Sequence, residues 1–194
     1  MIQIKKDNIK LAKTFRERGK IMDYTIEKLS IDNAHEYAYV NSRAWLESYK
    51  GIIDNEFLEK INTDESIKDF TEKLRGYVVN SPDYFFLLRV GGKPVGVLCV
   101  RKPKYEDYQD CGELGAIYLL NEAKGKGYGK ILFEFAKEEL KNMGYKKMVN
   151  GCLVGNPSNE FYKHMGGKLV KQISFIVKKS GQELTENIYY YESI

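Results

Sequence analysis

The clearest pattern of apolar and polar residues lies between Glu113 and Gly129. Six apolar residues in a nearly continuous run predict a strand buried on both faces: Leu114, Ala116, Ile117, Tyr118, Leu119 and Leu120. A turn with glycine at 125, 127 and 129 follows, and helical spacing then predicts a helix that ends at Gly144. Amides that open a helix lack intrahelical partners and lie at the positive end of its dipole. The sequence therefore predicts an anion site at this turn, most often one for phosphate.

The other elements follow from alternating and helical spacing along the chain. A loose helical pattern at Asp7–Lys20 predicts a weak helix or a frayed arm. Beyond it the patterns predict a strand at Asp23–Leu29, a helix from Asp32 or Asn33 to Tyr49, helices at Asp54–Ile61 and Ser66–Val79, a hairpin of Tyr84–Val90 and Pro94–Arg101, a strand at Lys147–Val154, a short helix at Asn159–His164, and a hairpin of Lys168–Lys178 and Gln182–Tyr191. Strand, helix and strand between 113 and 154 predict one parallel pair in a mixed, largely antiparallel α/β sheet.

Composition and length indicate an ordinary globular chain. With 194 residues, 43% hydrophobic and 30% charged, it is most simply one domain with a substantial core. No stretch approaches the ~20 apolar residues of a membrane span, and the N-terminus lacks the apolar core of a signal peptide, so we expect a cytoplasmic protein without a membrane partner.

Cysteine, histidine and charge narrow the chemistry further. Cys99, Cys111 and Cys152 are widely spaced and suit reduced thiols, and the two histidines have no metal-ligand spacing to them, so no metal site is expected. Residues 1–22 carry seven Lys or Arg and two acids (+5), which leaves 24 bases and 25 acids (−1) in the remainder. The near-neutral body argues against a broad nucleic-acid surface, although binding of nucleic acid or an acidic partner by 1–22 stays an alternative to a solvated segment.

Two common phosphate-binding patterns do not fit the glycine turn. A P-loop requires Gly-x-x-x-x-Gly-Lys-Ser/Thr, but Gly129-Lys130 is followed by Ile131 and preceded at the first position by Lys124. The dinucleotide pattern Gly-x-Gly-x-x-Gly fails in both registers, since Lys130 or Leu132 stands at its last glycine. The turn therefore needs its wider context to be interpreted.

Three stretches resemble segments of the GNAT superfamily of acyl-CoA-dependent N-acyltransferases, in that family's order. Lys124-Gly125-Lys126-Gly127-Tyr128-Gly129 resembles the family's Gln/Arg-x-x-Gly-x-Gly/Ala turn, with Lys124 in place of the usual Gln or Arg. The stretch from Gly155 to Lys168 is similar to the segment after the family's fifth core strand, and that from Ser42 to Ile53 to the first-helix segment of many bacterial members. The resemblance covers roughly residues 23–192.

The resemblance implies a fold and a reaction. It implies one GNAT domain at 23–194 behind a basic N-terminal arm or extension at 1–22, with a mixed, mostly antiparallel, twisted sheet of about seven strands, a parallel, splayed central pair and flanking helices. The implied reaction is direct acetyl transfer from acetyl-CoA to a primary amine of a small molecule or peptide, without a metal or a covalent enzyme intermediate. A non-catalytic acetyl-CoA-binding sensor of the same fold is the alternative, and a homodimer is one arrangement that the family allows.

The resemblance also implies roles for individual residues. The Ile117 amide would polarise the thioester carbonyl, Leu119 would pair with the pantetheine arm, and Asn156 would bond that arm. The remaining cofactor-binding residues would hold the pyrophosphate: Lys124, Gly125, Lys126, Gly127, Tyr128, Gly129 and Lys130. For Lys126 and Lys130 a solvated helix surface is an equal alternative.

Acetyl transfer to an amine also requires proton transfer. A primary amine has a pKa near ~10.4, so freeing it at pH 7.4 costs about 4 kcal/mol. Glu113 is the candidate base, because it lies four residues before Ile117 and strict alternation would place both on one face. It also matches the family's strand glutamate where that residue serves as the base. A residue that merely begins the strand in solvent is the alternative. In family members the corresponding short helix faces the cofactor's sulfur, so the resemblance makes Tyr162, six residues after Asn156, the candidate acid that protonates the leaving sulfur. A core or interface tyrosine is the alternative. Trp45 and Tyr49 are candidates for acceptor binding, although their helical spacing also suits a core.

Overall fold

The structure is a computed structural model that describes residues 10–17, 20–80, 84–177 and 180–194, with side chains from residue 23 onward. Within these residues the strands are β1 (Lys10–Glu17), β2 (Lys20–Lys28), β3 (Tyr84–Val90), β4 (Lys93–Arg101), β5 (Gly112–Leu119), β6 (Met148–Leu153), β7 (Lys168–Ile176) and β8 (Glu183–Tyr191). The helices are α1 (Ala34–Tyr49), α2 (Asn55–Lys60), α3 (Asp64–Asn80), α4 (Tyr128–Asn142) and α5 (Ser158–His164). Short 3₁₀ turns lie at Glu106–Tyr108 and Asn121–Ala123.

The described strands form one mixed sheet in the order β1-β2-β3-β4-β5-β6-β8-β7. Only β5 and β6 run parallel among them, and they pair solely at Gly112 with Met148 and at Glu113 with Val149. Beyond these two pairs the strands separate, so the predicted mostly antiparallel sheet with a splayed parallel pair is confirmed. Strands β2 to β8 are the seven expected, and β1 is an additional edge strand.

The weak helix predicted at Asp7–Lys20 is wrong for the described part of that segment. Residues 10–17 form β1, which pairs antiparallel with β2 from Lys10 opposite Glu27 to Glu17 opposite Lys20. The apolar residues Leu11 and Phe15 are four apart, a spacing that places them on one face of a helix and of a strand alike. Pairing with β2 decides between the two. Residues 1–9 and 18–19, and parts of the turns predicted at 80–83 and 179–181, lie outside the described residues.

Helices cover both faces of the sheet and bury its central strands. On one face α4 packs its apolar side, including Leu132 and Phe133, against Leu98 of β4. On the other face α1 and α3 pack Tyr37 and Leu74 against β3 and β4. Because β4 is covered on both sides, its residues from Val95 to Val100 are all buried. Among the described helices, none is long and apolar enough to cross a membrane.

Candidate active site

A cavity of about 410 Å³ opens where β5 and β6 separate. Its walls come from both strands, from the turn before α4, from α5 and from the end of α1. It extends from Gly127, at the N-terminus of α4, to Tyr162 on α5. Because β5 and β6 are unpaired beyond Glu113 and Val149, a cleft opens through the sheet between them.

The glycine turn forms one end of this cleft. Gly125 and Gly127 have φ angles of +71° and +81°, a left-handed conformation that costs other residues free energy. The first intrahelical bond of α4 runs from the Ile131 amide to the Gly127 carbonyl, at 3.2 Å. The preceding amides of Gly129 and Lys130 therefore have no partner within the helix. Four of these five residues line the cleft, and Ile131 does not.

The lysines of the turn differ in position. Lys124 lines the cleft, its Nζ donates to the Ser48 hydroxyl at 3.1 Å, and burial lowers its pKa below the ordinary lysine value. Lys130 also lines the cleft, whereas Lys126 does not and is exposed. The Tyr128 side chain does not line the cleft. It is buried in the hydrophobic core between α4 and the sheet. Of the residues predicted to bind the cofactor, Lys126 and Tyr128 are therefore the two that do not line it.

The rest of the predicted cofactor-binding residues meet along the cleft. Ile117 and Leu119 lie on β5 beyond the last pair with β6, so one edge of this strand faces the opening. Asn156 is buried, and its Oδ1 accepts a hydrogen bond from the Ser158 amide at 2.8 Å. The strand edge at Ile117 and Leu119 and the side-chain amide of Asn156 therefore border the same cleft as the glycine turn.

Tyr162 and Cys152 form the other end of the cleft. Tyr162 is buried, and its hydroxyl has no hydrogen bond to any described residue. Burial raises the pKa of Tyr162 well above its ordinary value, and the nearby Cys152 and Tyr49 add to this effect. Burial, assisted by Glu186, raises the pKa of the Cys152 thiol to about 12. Both groups are therefore protonated at neutral pH, one as a phenol and the other as a thiol.

Comparison with known proteins identifies the family of this fold and cleft. The sequence model of the acetyltransferase (GNAT) family matches residues 34–166, which is more than half of the chain. The chain belongs to the GNAT family of acetyltransferases. The match spans α1 through α5 and so includes every wall of the cleft.

Individual relatives of this acetyltransferase agree with that assignment. An uncharacterised N-acetyltransferase of Bacillus subtilis (strain 168), YuaI, is 26% identical over 151 residues, which cover 78% of this chain and 84% of YuaI. The fold is similar to that of the PaiA N-acetyltransferase of Thermoplasma acidophilum, solved with coenzyme A (TM-score 0.61, 19% identity, covering 84% of this chain and 97% of that one). It is also similar to YncA of Salmonella typhimurium, a putative acetyltransferase solved with acetyl-CoA (TM-score 0.64, 15% identity, 88% and 94%).

The aromatic residues predicted to bind the acceptor lie on the helical side of this acetyltransferase's cleft. Tyr49 lines the cleft, and its hydroxyl lies 2.9 Å from that of Tyr118 on β5. Burial raises the pKa of Tyr49 to about 12. Trp45 packs on both tyrosine rings, at 5.1 and 5.9 Å between centroids, and lines a separate cavity of about 270 Å³ between α1, α2 and α3. Tyr49 is therefore at the cleft, and Trp45 lies behind it.

Glu113 does not lie where strict alternation predicts. Cys99 of β4 pairs with Ala116 but Val100 pairs with Leu114, so β5 has one extra residue in a β-bulge. Leu114 and Ile117 consequently pack into the same core cluster, and Glu113 points to the opposite face from Ile117. The expected shared face of Glu113 and Ile117 is therefore wrong, because the bulge shifts the alternation by one residue.

The Glu113 carboxylate is buried and has two partners. It accepts hydrogen bonds from Arg101 Nη2 at 2.6 Å and from the Lys104 amide at 2.7 Å, and its side chain is 2% exposed. It does not line the cleft. Its predicted role as the base is not tested by this placement and stays a prediction.

Glu186 of β8 is a carboxylate that the sequence reasoning missed. It accepts hydrogen bonds from the Tyr105 hydroxyl at 3.0 Å and from Lys104 Nζ at 3.2 Å, beside Gly151 of β6. A signal was present, because Glu186 alternates with Leu184 and Ile188, which are both buried. A charged residue at such an inward position, next to a strand glycine, indicates a close approach of functional groups.

Proposed function

We propose that this acetyltransferase transfers the acetyl group of acetyl-CoA directly to a primary amine of a small molecule or peptide. The observation that carries the proposal is the continuous cleft, with helix-opening amides at one end and a protonated tyrosine at the other. Coenzyme A requires a site for phosphates, a narrow channel for its arm and an acid near its sulfur. Coenzyme A and acetyl-CoA in the structures of PaiA and YncA support the same cosubstrate here.

In this proposal the glycine turn holds the pyrophosphate. The amides of Gly125, Gly127 and Gly129 supply hydrogen-bond donors at the positive end of the α4 dipole. Lys124 and Lys130 add positive charge at the cleft wall. Lys126 is exposed and does not line the cleft, so it contributes only to the positive electrostatic potential outside the cleft.

The pantetheine arm then runs along the open edge of β5. Leu119 pairs with it as an added strand would, Asn156 bonds it from the opposite wall, and the Ile117 amide polarises the thioester carbonyl. Stabilising the developing oxyanion in this way requires a strand edge without a neighbouring strand. The separation of β5 from β6 supplies that edge.

Tyr162 is proposed to protonate the departing sulfur. Its raised pKa keeps the phenol protonated at neutral pH, and its hydroxyl has no competing hydrogen bond to a described residue. Direct transfer is supported by Cys152, because a thiol with a pKa of about 12 is a poor nucleophile at pH 7 to 8. The acceptor is proposed to enter beside Tyr49, with Trp45 supporting that wall.

A thiol-release assay tests the function. Purified protein is mixed with acetyl-CoA and, in turn, a monoamine, cadaverine and a peptide with a free N-terminus, and the coenzyme A thiol is measured. At least one amine should be turned over, and Tyr162→Phe should lower kcat by about 10²–10³ with an unchanged Kd for acetyl-CoA. Tyr39→Phe on the exposed face of α1 is the matched control and should behave as wild type. Tight acetyl-CoA binding with no turnover of any amine would instead support a non-catalytic sensor.

A further inference from the structure

Two glycines line the cleft close to the point where β5 and β6 separate. Gly115 of β5 and Gly151 of β6 each lie two residues beyond the last pair of the two strands. A Cβ on Gly151 would clash with the Glu186 carboxylate and the Tyr105 hydroxyl. A Cβ on Gly115 would lie 3.2 Å from Arg101 Nε. The absence of these two side chains lets the charged groups lie directly against the backbone of the cleft wall.

Glu186 lies directly behind this part of the cleft wall. Its Oε1 and Cδ are the closest atoms to the Cβ position of Gly151, so the glycine backbone alone separates the carboxylate from the cleft. Neither Glu186 nor Glu113 lines the cleft itself, and Glu113 is held by Arg101 and the Lys104 amide. The Glu186 side chain is 16% exposed, so part of the carboxylate remains accessible to solvent.

An ammonium group already occupies the outer side of Glu186. Lys104 Nζ lies 3.2 Å from Glu186 Oε2 and 4.9 Å from the centre of the Tyr105 ring. A carboxylate together with an aromatic face is the environment that a primary alkylammonium prefers. Because the Lys104 side chain is 48% exposed, its pairing with Glu186 is weak enough to be displaced.

We propose that Glu186 binds the ammonium of the acceptor and takes its proton, and that Lys104 occupies this position until a cationic primary amine enters. This inference rests on the proposed function, whose reaction it supplies with a base. The Tyr105 hydroxyl is a positioning group, because it donates to Glu186 Oε2 and holds the carboxylate against Gly151. The acceptor class is therefore a primary alkylammonium rather than a neutral or anionic amine.

The protons balance as follows. Glu186 takes one proton from R–NH₃⁺ and releases it to solvent, and the resulting amine attacks the thioester carbon. As the C–N bond forms and the C–S bond breaks, Glu186 takes the second proton while Tyr162 gives its own to the departing sulfur. The second proton replaces the one that Tyr162 gave, so the products are the amide, the coenzyme A thiol and one released proton.

The groups around Glu186 also influence the pH dependence of the reaction. The charged and titratable groups around Glu186 are Lys104 and Tyr105 from the loop after β4, Arg101 from β4, Glu113 from β5, Cys152 from β6 and Tyr49 from α1. Burial raises the pKa values of Tyr49 and Cys152 to about 12, and that of Tyr105 is raised as well. None of these three groups ionises between pH 6 and 9, so none of them produces a limb of the pH profile in that range.

The test compares Glu186→Gln with Glu186→Asp, Glu113→Gln and Glu183→Gln in the thiol-release assay, with the best amine of the panel, from pH 6 to 10. Glu183, exposed on the same strand, is the matched control. Glu186→Gln should lower kcat/KM about 10²–10³-fold at pH 7, and the loss should shrink toward pH 10, where free amine is abundant. Glu186→Asp should restore part of the rate, and the Kd for acetyl-CoA should not change in any of these variants.

A second variant tests the inference through an improvement in substrate binding instead of a loss of activity. Lys104→Met removes the resident ammonium and should lower KM for a monoamine several-fold. The inference is overturned if Glu186→Gln keeps wild-type activity at pH 7, if its loss is the same at every pH, or if Glu113→Gln alone gives the pH-dependent loss. A wild-type protein that binds acetyl-CoA but acetylates none of the amines overturns the proposed function, and this inference with it.

Discussion

The glycine turn yields a prediction with a matched control at the other end of the same helix. Gly125 precedes α4 and Gly144 follows it, with φ angles of +71° and +93°. A Cβ at either position has no heavy atom within 4 Å, so Gly→Ala causes no clash at either. The cost is backbone strain alone, about 1–2 kcal/mol for an L-residue in the left-handed region. Both variants should therefore lose a similar free energy of unfolding.

Their effects on acetyl-CoA binding should differ. Gly125 lines the cleft, and relief of its strain would turn the amides of the turn away from the pyrophosphate. We expect Gly125→Ala to weaken acetyl-CoA binding about tenfold, which corresponds to ~1.4 kcal/mol. Gly144 lies at the opposite end of α4, where its amide bonds the Lys141 carbonyl, so Gly144→Ala should leave the Kd unchanged.

Two measurements decide the question. Thermal unfolding without ligand gives the strain, with a decrease in Tm of about 2–4 °C per kcal/mol for a domain of this size. Isothermal titration with acetyl-CoA gives the Kd. Equal affinities for the two variants would refute the assignment of Gly125 to the phosphate site.

Three further predictions concern stability and reactivity. Glu113→Gln should lower the free energy of unfolding by about 1–3 kcal/mol, because it breaks a pair with Arg101 that is only partly exposed, as a urea titration would show. Iodoacetamide should label Cys152 hardly at all in native protein at pH 8, since its pKa is about 12; rapid labelling detected by mass spectrometry would contradict this. Leu132→Ala, in the core under α4, should cost about 2–5 kcal/mol, and a smaller urea shift would show that the core collapses around the gap.

Much of the fold could be predicted because its signals are local. The strand at Tyr84–Val90 was predicted with the bounds that the structure has, and α4 ends just before Gly144 as its spacing indicates. The glycine turn can also be predicted from the sequence, since a strand, alternate glycines and a helix follow one another directly. The three segments that resemble the family indicate an acyl-CoA-dependent transferase without any knowledge of tertiary contacts.

The errors arose where a residue's position depends on a neighbouring strand. Residues 10–17 have a spacing compatible with either helix or strand, and only pairing with β2 makes them a strand. Glu113 was placed by strict alternation, which the bulge opposite Cys99 and Val100 interrupts. A bulge is a mismatch between two strands, so the sequence of one strand does not specify it.

The order of the elements, the glycine turn and the resemblance to a family can all be inferred from the chain alone. Which side chains meet at the cleft and behind its wall depends on the three-dimensional fold. Glu186 lies 35 residues after Gly151 in the sequence, yet its carboxylate rests against that glycine because β6 and β8 are neighbours in the sheet. Spacing along a chain fixes the face of an element, whereas the contact between two elements depends on how the whole sheet is assembled.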